Sequence, residues 1–166
     1  VGYTKAEEMV NHGVTGPNVR AAGVDYDVRW AHPYSVYSEL DWAPAVERSS
    51  VKGADCYDRY RVRVTEMVES ANMVLEALER MPGGAETHYE PGDPAIIAKA
   101  PSRAPEGTFG SHHFADSRGE SMFHIVGGGD GRGKNPYRVS IRSPMFITIP
   151  YASKCMIGYK VADIPA

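Results

Sequence analysis

The glycine-rich stretch GGGDGRGKNPYR, at residues 127–138, comes close to a motif that binds nucleotide phosphates. The pattern G-x-x-x-x-G-K is completed by Gly133 and Lys134, whose backbone amides and ammonium group would hold the phosphate. The hydroxyl residue that should follow and bind Mg²⁺ is replaced by Asn135. Pro136 and an alternating strand pattern come next, where a phosphate loop requires a helix. We therefore interpret the stretch as the turn of a β-hairpin, with a nucleotide site as the alternative.

Two histidines and an aspartate lie close together in the segment SHHFAD, a combination that could bind a metal ion. Neighbouring side chains of a strand point to opposite faces, so His112 and His113 are poorly placed to share one ion. We favour a polar strand or a partner-contact surface, and we expect no metal to be bound there. His124, within the next predicted strand, is expected to be a hydrogen-bonded structural residue.

The chain has two cysteines, Cys56 and Cys155. Two thiols are too few for a closed four-cysteine metal site within the chain. Cys56 follows a predicted helix N-cap, where the helix dipole would stabilise a thiolate. No histidine lies near it in sequence, so a buried structural cysteine is the favoured interpretation. Free thiols fit a reducing compartment, and a single disulfide stays an alternative.

The strongest pattern in the chain predicts a long helix that begins after Asp55 and ends before Pro82. Apolar residues recur there at three- and four-residue spacing, which predicts an amphipathic helix. These residues occupy positions 57, 60, 64, 67, 68, 71, 74, 75 and 78. The charged residues off this stripe are interpreted as a solvated face with ion pairs along one helix, or as a subunit interface. They are Asp55, Asp58, Arg59, Arg61, Arg63, Glu66, Glu69 and Glu76.

Shorter elements are predicted before and after this helix. Thr4 and Glu7 have the spacing of a capping box, which predicts a short helix ending near Gly13. The glycines and prolines of residues 14–44 predict loops and turns.

A β-hairpin is predicted in the last third of the chain. Tyr137, Val139 and Ile141 alternate with polar residues, and the stretch RGESMFHIVGG precedes the glycine turn, so the two segments are predicted to pair. Residues 145–164 are more apolar, which predicts a loop followed by a short helix.

These elements predict an α+β fold in which a long amphipathic helix packs with other helices and with a β-hairpin. A length of 166 residues suits one core-bearing domain. Within it, residues 1–81 are predicted to be mainly helical, 82–111 to be a Pro/Gly-rich connection, and 112–166 to hold the hairpin and a C-terminal segment. We expect the chain, which starts at Val1 and stops after an apolar stretch, to be a piece of a longer protein.

The charge balance excludes some partners. The net charge is −3, from 18 basic and 21 acidic residues, so the chain has no overall attraction to nucleic acid or to an anionic membrane surface. No apolar run approaches the ~18 residues of a spanning helix. The residue types assemble no self-contained catalytic group, and no catalytic residue is predicted.

A series of motifs along the whole chain resembles one known family. In order, they are GVTGPNVRAAGVDYDVR, HPYSVYSELDW, GADCYDRYRVRVTEMVES, ALERMPGG, SRGE, PYRVSIRSPMF and GYKVADI. They are similar to successive blocks of the D subunit of respiratory complex I, the 49-kilodalton protein that resembles the large subunit of nickel–iron hydrogenases. Archaeal members, including those of deazaflavin-linked dehydrogenases, are also similar. The block DCYDRYRVRVTEM is the most specific of the series.

The resemblance implies a fold, a role and partners. The fold would be a piece of a hydrogenase-large-subunit-like domain, packed against the small iron–sulfur subunit and other peripheral-arm subunits. The whole subunit would act in NADH:quinone oxidoreduction, passing electrons from iron–sulfur clusters to quinone, at the cytoplasmic face of the membrane. Iron–sulfur clusters, flavin and NADH or deazaflavin would be held by other subunits. This chain would hold no cofactor and would be inactive alone.

The resemblance also nominates residues. Arg118, in SRGE, matches the basic position of an APRGE-like block, which implies a place near the redox cavity. A fixed cation there would stabilise a developing quinone anion, and the alternative role is to anchor the hairpin to the helices. Arg20, Asp27 and Arg29 match an RGSG…DxR block and are assigned mainly to structure.

Two alternatives to the quinone-reducing role are kept. One is a piece of the large subunit of an energy-converting nickel–iron hydrogenase. The two CxxC pairs of catalytic hydrogenases are absent here, but they lie near the ends of such subunits. The other alternative is a stand-alone binding module without a redox role. The sequence HHFADSRGE stands where the family has an EAPRGE-like block.

Overall fold

The computed structural model describes residues 1–47, 53–81, 104–129 and 135–164. Before the long helix, the elements are β1 (Thr4–Lys5), α1 (Ala6–Asn11), α2 (Pro17–Ala21), α3 (Val28–Ala31) and β2 (Gly53–Ala54). From the long helix onward they are α4 (Cys56–Arg80), β3 (Phe109–Asp116), β4 (Gly119–Val126), β5 (Arg138–Arg142), α5 (Met145–Cys155) and a 3-10 helix (Val161–Asp163).

The predicted long helix is confirmed as α4, with Asp55 as its N-cap. The Asp55 side chain accepts the backbone amides of Tyr57 and Asp58, and the Asp58 carboxylate accepts the Asp55 amide in return. This reciprocal pair satisfies amides that a helix start leaves unbonded. Pro82 and the glycines after it lie outside the described residues.

The capping box predicted at Thr4 is wrong. Thr4 lies in β1, and its hydroxyl donates to the Ala54 carbonyl at 3.3 Å instead of accepting the Glu7 amide. Lys5 stands at the N-cap of α1 without a side-chain bond. Because β1 pairs with β2, the Thr4 hydroxyl bonds to the neighbouring strand and does not cap the helix. The helix itself ends at Asn11, close to the predicted Gly13.

The predicted hairpin is confirmed, and it belongs to a three-stranded antiparallel sheet in the order β3-β4-β5. Ile125 of β4 faces Val139 of β5. Strand β3 was not predicted as a partner, and it begins at Phe109, inside the segment interpreted as a connection. The turn between β3 and β4 is Ser117-Arg118. Residues 82–103 lie outside the described part of the chain.

The connection between β4 and β5 contains the glycine-rich stretch. Residues 130–134 are not among those described, but the element after them is strand β5, not a helix. A phosphate loop needs a helix N-terminus at that point. The hairpin interpretation therefore holds and the nucleotide interpretation does not.

The C-terminal segment differs from its prediction. No loop precedes the helix, because α5 begins at Met145, directly after β5 and Pro144. Its Tyr151 is buried in the core, where the ring lies 5.0 Å from that of His12. Residues 14–44 contain the short helices α2 and α3 among the predicted turns.

The described residues form a small core between α1, α2, α4 and α5. Its buried members are Met9, Val14, Val19, Ala21, Ala22, Ala54, Val62 and Tyr151. Only one of them, Val62, comes from the long helix. Among the described residues, the apolar stripe predicted on α4 is therefore not what packs this helix against the core.

The stripe on α4 faces away from the other described residues. The helix packs on α2 as predicted, but it does so through its other face. Met67 and Leu75 are 63 % and 60 % exposed. The other exposed apolar members are Tyr57, Tyr60, Val64, Val68, Val74 and Leu78. A contiguous apolar surface of this kind is typical of a surface that another protein segment covers.

Acidic substitutions on the exposed stripe are expected to suppress self-association without unfolding the chain. We predict that Met67→Glu with Leu75→Glu shifts the isolated chain toward monomer, because both side chains are exposed and α4 is held by its other face. Stability should change by less than about 1 kcal/mol, as for surface substitutions. Light scattering and thermal unfolding measure the two effects.

The matched control is Val62→Glu, on the opposite face of the same helix. Val62 is 1 % exposed, so a carboxylate there is expected to unfold the chain. If the double variant unfolds the chain as severely as Val62→Glu does, the stripe is buried and the described orientation of α4 is wrong.

Candidate functional site

A polar cavity of about 240 Å³ lies where the β3–β4 turn meets α2, α3 and α4. The chain reaches this point from four separate segments. Gly16 is the N-cap residue of α2, and Arg20 lies in the last turn of that helix. The N-cap of α3 contributes Asp27, α4 contributes Glu66 and β4 contributes Glu120. Most of the lining side chains carry charges or hydroxyl groups. The cavity is therefore suited to water or a polar ligand rather than to an apolar one.

One wall of the cavity is a buried ion-pair network centred on Arg20, which is 5 % exposed. Its Nη1 lies 3.0 Å from Asp27 Oδ2, and its Nε donates to Glu66 Oε1 at 2.9 Å. Its Nη2 also contacts Glu66. Arg29 donates to both carboxylate oxygens of Asp27, at 3.0 and 2.7 Å. The network balances two positive charges with two negative ones, as buried charges require.

The network follows from local structure at both ends. Asp27 is the N-cap of α3 and accepts the Arg29 amide at 2.9 Å, which fixes its carboxylate. Arg20 lies on the buried side of α2, a helix that begins with Pro17. The structural assignment of Arg20, Asp27 and Arg29 agrees with this arrangement. Glu66 joins them from α4, so it does not lie on a solvated face as predicted.

The other charges predicted to pair along α4 also reach different segments. Arg61 lies 3.4 Å from Glu47, and the Arg59 guanidinium donates to the Gly2 carbonyl at 2.9 Å. These two arginines therefore tie α4 to the segments before it, whereas Glu76 pairs with Arg80 within the helix, as predicted for this face.

Asp27 is held ionised by its neighbours. Burial by itself raises the pKa of Asp27, but hydrogen bonds from Arg29 and the charge of Arg20 outweigh it, so the pKa lies below its usual value. A carboxyl group with a lowered pKa contributes stability above its unfolded-state pKa. That contribution is lost as the pH falls through the folded-state pKa.

The chain is therefore expected to lose stability as the pH drops below about 4, the ordinary pKa of an aspartate. Asp27→Asn should reduce the difference in unfolding free energy between pH 7 and pH 3, because the titrating carboxyl group is gone. Urea unfolding at the two pH values measures it. Asp25→Asn, at an exposed neighbour, is the control and should keep the full difference. An equal difference in both variants would contradict the role of Asp27.

The opposite wall of the cavity is a chain of hydrogen bonds that begins at the sheet surface. His113 Nδ1 lies 2.5 Å from Glu120 Oε1, and the Tyr26 hydroxyl donates to Glu120 Oε2 at 2.7 Å. The Glu120 amide donates to the Thr15 hydroxyl at 2.9 Å. Burial and the bond to Glu120 raise the pKa of Tyr26 to about 12. Burial alone raises the pKa of Glu120, but the bonds from Tyr26 and His113 lower it overall.

The hairpin is fixed to the cavity through two glycines. Gly16 has φ +79° and lies against Gly119, so close that a Cβ on Gly16 would stand 2.7 Å from the Gly119 amide nitrogen. Only glycine allows this approach together with the left-handed backbone. The contact sets the β3–β4 turn at the cavity mouth.

Arg118 lies in that turn and is exposed. Its neighbours Ser117 and Gly119 line the cavity. The guanidinium has no hydrogen-bond or ion-pair partner among the residues that the structure describes. Anchoring of the hairpin is achieved by the glycine contact and by the bond between Glu120 and Thr15. The described contacts of the hairpin with the helices are therefore made without the Arg118 side chain.

The histidines of SHHFAD point to opposite faces of β3, as the strand argument predicted. His112 lies edge-on to Tyr34 at 5.3 Å and stacks with Phe114 at 6.4 Å, whereas His113 binds Glu120. Within the described ranges, no three His, Cys, Asp or Glu side chains are grouped to hold a metal ion. His124 bonds to Ser111 at 2.6 Å, which confirms its structural role.

Both cysteines are free thiols, in agreement with prediction. Cys56 is half-buried rather than buried, and its sulfur lies 3.3 Å from the Arg59 guanidinium. Cys155 is half-buried too and packs against the core from α5. Neither thiol lines the polar cavity.

The sequence pointed to some of these residues and missed others. Two cavity residues lie close in sequence to residues that the motifs had already singled out. Glu120 follows Arg118 by two positions, and Tyr26 directly precedes Asp27. The pairing of Arg20 with Glu66 had no signal, since the two lie far apart in sequence and only the packing of α2 on α4 joins them.

Comparisons with known proteins agree on one family. The sequence model described as "Respiratory-chain NADH dehydrogenase, 49 Kd subunit" matches residues 1–166. The D subunit of NADH-quinone oxidoreductase from Flavobacterium johnsoniae is 40 % identical, over 98 % of this chain and 42 % of the relative. The D subunit of the F(420)H(2) dehydrogenase from Methanosarcina mazei is 35 % identical, over 99 % of this chain and 41 % of that protein.

A solved structure is similar as well. It is a chain of the membrane-bound sulfane sulfur reductase, an archaeal respiratory membrane complex, with a TM-score of 0.78 and 32 % identity. The match covers 99 % of this chain and 42 % of that one. The chain thus spans less than half the length of the relatives it matches, and its mixed helix-and-sheet architecture is that of a hydrogenase-like large subunit. It belongs to the family of the 49-kilodalton subunit of respiratory-chain NADH dehydrogenase.

Proposed function

We propose that this chain is part of the subunit that passes electrons from an iron–sulfur cluster to a quinone in a dehydrogenase complex of the complex I type. The observation that carries the proposal is the placement of Arg118. In a chain of this family, a cation without a partner among the described residues stands between two cavity-lining residues. The two arginines of the cavity wall, Arg20 and Arg29, are already paired with carboxylates. The Arg118 cation is free to stabilise negative charge that develops on a bound molecule.

The partners follow from the same proposal. The small iron–sulfur subunit and other peripheral-arm subunits would cover the exposed apolar surfaces, and quinone would be the substrate. Iron–sulfur clusters, flavin and NADH or deazaflavin would be bound by those partners. The complex would hold this subunit peripherally at the cytoplasmic face of the membrane. No helix in the described ranges is long and apolar enough to cross a bilayer.

A second candidate acceptor is sulfane sulfur. The similar solved chain belongs to a complex named as a sulfane sulfur reductase, while the similar curated subunits are named as NADH-quinone and F(420)H(2) dehydrogenase subunits. The same free cation would serve either acceptor, because both gain negative charge on reduction. The choice between them is therefore a question for activity measurements with the whole complex.

Arg118→Ala in the full-length subunit is expected to lower quinone reduction per assembled complex by at least about tenfold, because a preorganised cation at developing charge is lost. The amount of assembled complex should change little, since the side chain is exposed. Donor-to-quinone activity, normalised to complex content, measures the effect.

Arg138→Ala is the matched control, an exposed arginine at the far end of the same sheet. It is expected to keep normal turnover. If Arg118→Ala instead reduces the amount of complex while the surviving complex turns over normally, Arg118 has a structural role.

A further inference from the structure

We propose that His113, Glu120 and Tyr26 form a proton path that leads from solvent at the sheet surface into the polar cavity. The inference rests on the proposed function, because reduction of a quinone to a quinol takes up two protons with its two electrons. A site enclosed by protein needs a route for those protons as well as for the electrons.

The three residues form one continuous line. The His113 side chain is about two-fifths exposed, at 43 %, and that of Glu120 is 12 % exposed. The distances along the line are 2.5 Å from His113 to Glu120 and 2.7 Å from Glu120 to Tyr26. Both are short enough for direct proton transfer between the groups. The line therefore begins in solvent, passes through a nearly buried carboxylate and ends at a cavity-lining phenol.

The surrounding charges set the protonation states of Glu120 and Tyr26. The charge of Arg142, from β5, lowers the pKa of both Glu120 and Tyr26, and the charge of Asp27 raises that of Tyr26. Arg20 donates to the Tyr26 carbonyl at 3.2 Å, which connects the path to the ion-pair network. With these groups in place, Glu120 is ionised and ready to accept a proton from His113. The negative charge on Glu120 also keeps the Tyr26 phenol protonated at rest.

One passage along the path moves a single proton. A proton binds Nε2 of His113 while the Nδ1 proton leaves to Glu120. The carboxyl group of Glu120 then gives a proton to the Tyr26 oxygen as the Tyr26 hydroxyl releases its own to the reduced quinone, directly or through water. The cycle closes when the hydroxyl and carboxyl groups turn back and His113 regains its Nδ1 proton, by losing the Nε2 proton to water and taking one up at Nδ1. Each group then holds the protons it began with. No electron moves along this line.

The test uses the assembled complex with the full-length subunit and compares two electron acceptors. A water-soluble quinone needs protons on reduction, and ferricyanide does not. Glu120→Gln is expected to lower quinone reduction by about 10²-fold, a typical effect of losing a proton-transfer group, while ferricyanide reduction stays unchanged. The amide oxygen introduced by this substitution can still accept the Tyr26 hydrogen bond, so the fold is retained. Tyr26→Phe should show the same selective loss.

His113→Gln supplies an independent readout. The loss of quinone-reducing activity in this variant should grow as the pH rises. Added imidazole should restore part of the lost activity, because position 113 is open to solvent. His112→Gln is the matched control. That histidine is the sequence neighbour on the opposite face of β3, and its replacement should leave both activities unchanged.

The proton path is overturned if Glu120→Gln keeps the wild-type quinone rate and pH profile. It is also overturned if the variant loses both acceptor activities equally, because the residue then acts on structure or electron transfer. A wild-type complex that reduces ferricyanide but no quinone would overturn the proposed function, and the path with it.

Discussion

Replacing Arg20 with alanine is expected to lower the free energy of unfolding by about 3–5 kcal/mol, the cost of breaking a buried ion pair from one side. Two carboxylates, those of Asp27 and Glu66, would lose their common partner. Arg29 would still compensate Asp27, but Glu66 would face the cavity with no such bond. Because Arg20 joins α2 to α4, the loss should appear as global destabilisation in urea or thermal unfolding.

The control for this result is Arg61→Ala. Arg61 also pairs with a glutamate across two segments, at 3.4 Å from Glu47, but its side chain is 53 % exposed. Solvent screens such a pair, so the expected loss is under about 1 kcal/mol. If both variants lose the same unfolding free energy, the buried Arg20 network stabilises the chain no more than an exposed ion pair does.

Gly16→Ala is expected to have a comparable effect for a steric reason. The left-handed backbone of Gly16 costs a residue with a Cβ about 1–2 kcal/mol. The new methyl group would also collide with the backbone of Gly119 and push the β3–β4 turn away from α2, at a cost of about 1–3 kcal/mol more. The total loss should therefore be about 2–5 kcal/mol, measured by urea unfolding.

Gly107→Ala separates the two contributions. Gly107 has nearly the same positive φ, +77°, but a Cβ there meets nothing within 4 Å. This variant should lose only the backbone part, about 1–2 kcal/mol. If Gly16→Ala loses no more than Gly107→Ala, the hairpin does not depend on the glycine contact.

Elements whose signal is local were predictable from the sequence. The start of α4 follows from Asp55 and Asp58, and the pairing of β4 with β5 follows from alternation around a glycine turn. The divergence of His112 and His113 follows from the period of a strand alone. In each case the residues that decide the structure are close together in the chain.

Features that depend on packing were not predictable in the same way. The apolar residues of α4 recur with the period of a helix, but this period does not identify the segment or protein that packs against them. Here the polar face, with Glu66, packs inward and the stripe is exposed. Thr4 is a second example. Its local pattern predicted a helix cap, but its hydroxyl donates to the carbonyl of Ala54 in strand β2, which is distant in sequence.

The candidate site was predicted in part. Arg118 was nominated through family resemblance, and the structure adds that it lies beside a cavity with no partner among the described residues. The cavity itself is assembled from α2, α3, α4 and the β3–β4 hairpin. Its lining residues come from separate segments of the chain, so the shape and charges of the cavity could not be predicted from any short stretch of sequence.

The most direct test of the central claim is the acceptor used by the purified complex with its full-length subunit. Electrons from the natural donor should reduce quinone, and Arg118→Ala should remove most of that activity while Arg138→Ala retains it. Reduction of sulfane sulfur with no reduction of quinone, in the same preparation, would contradict the account.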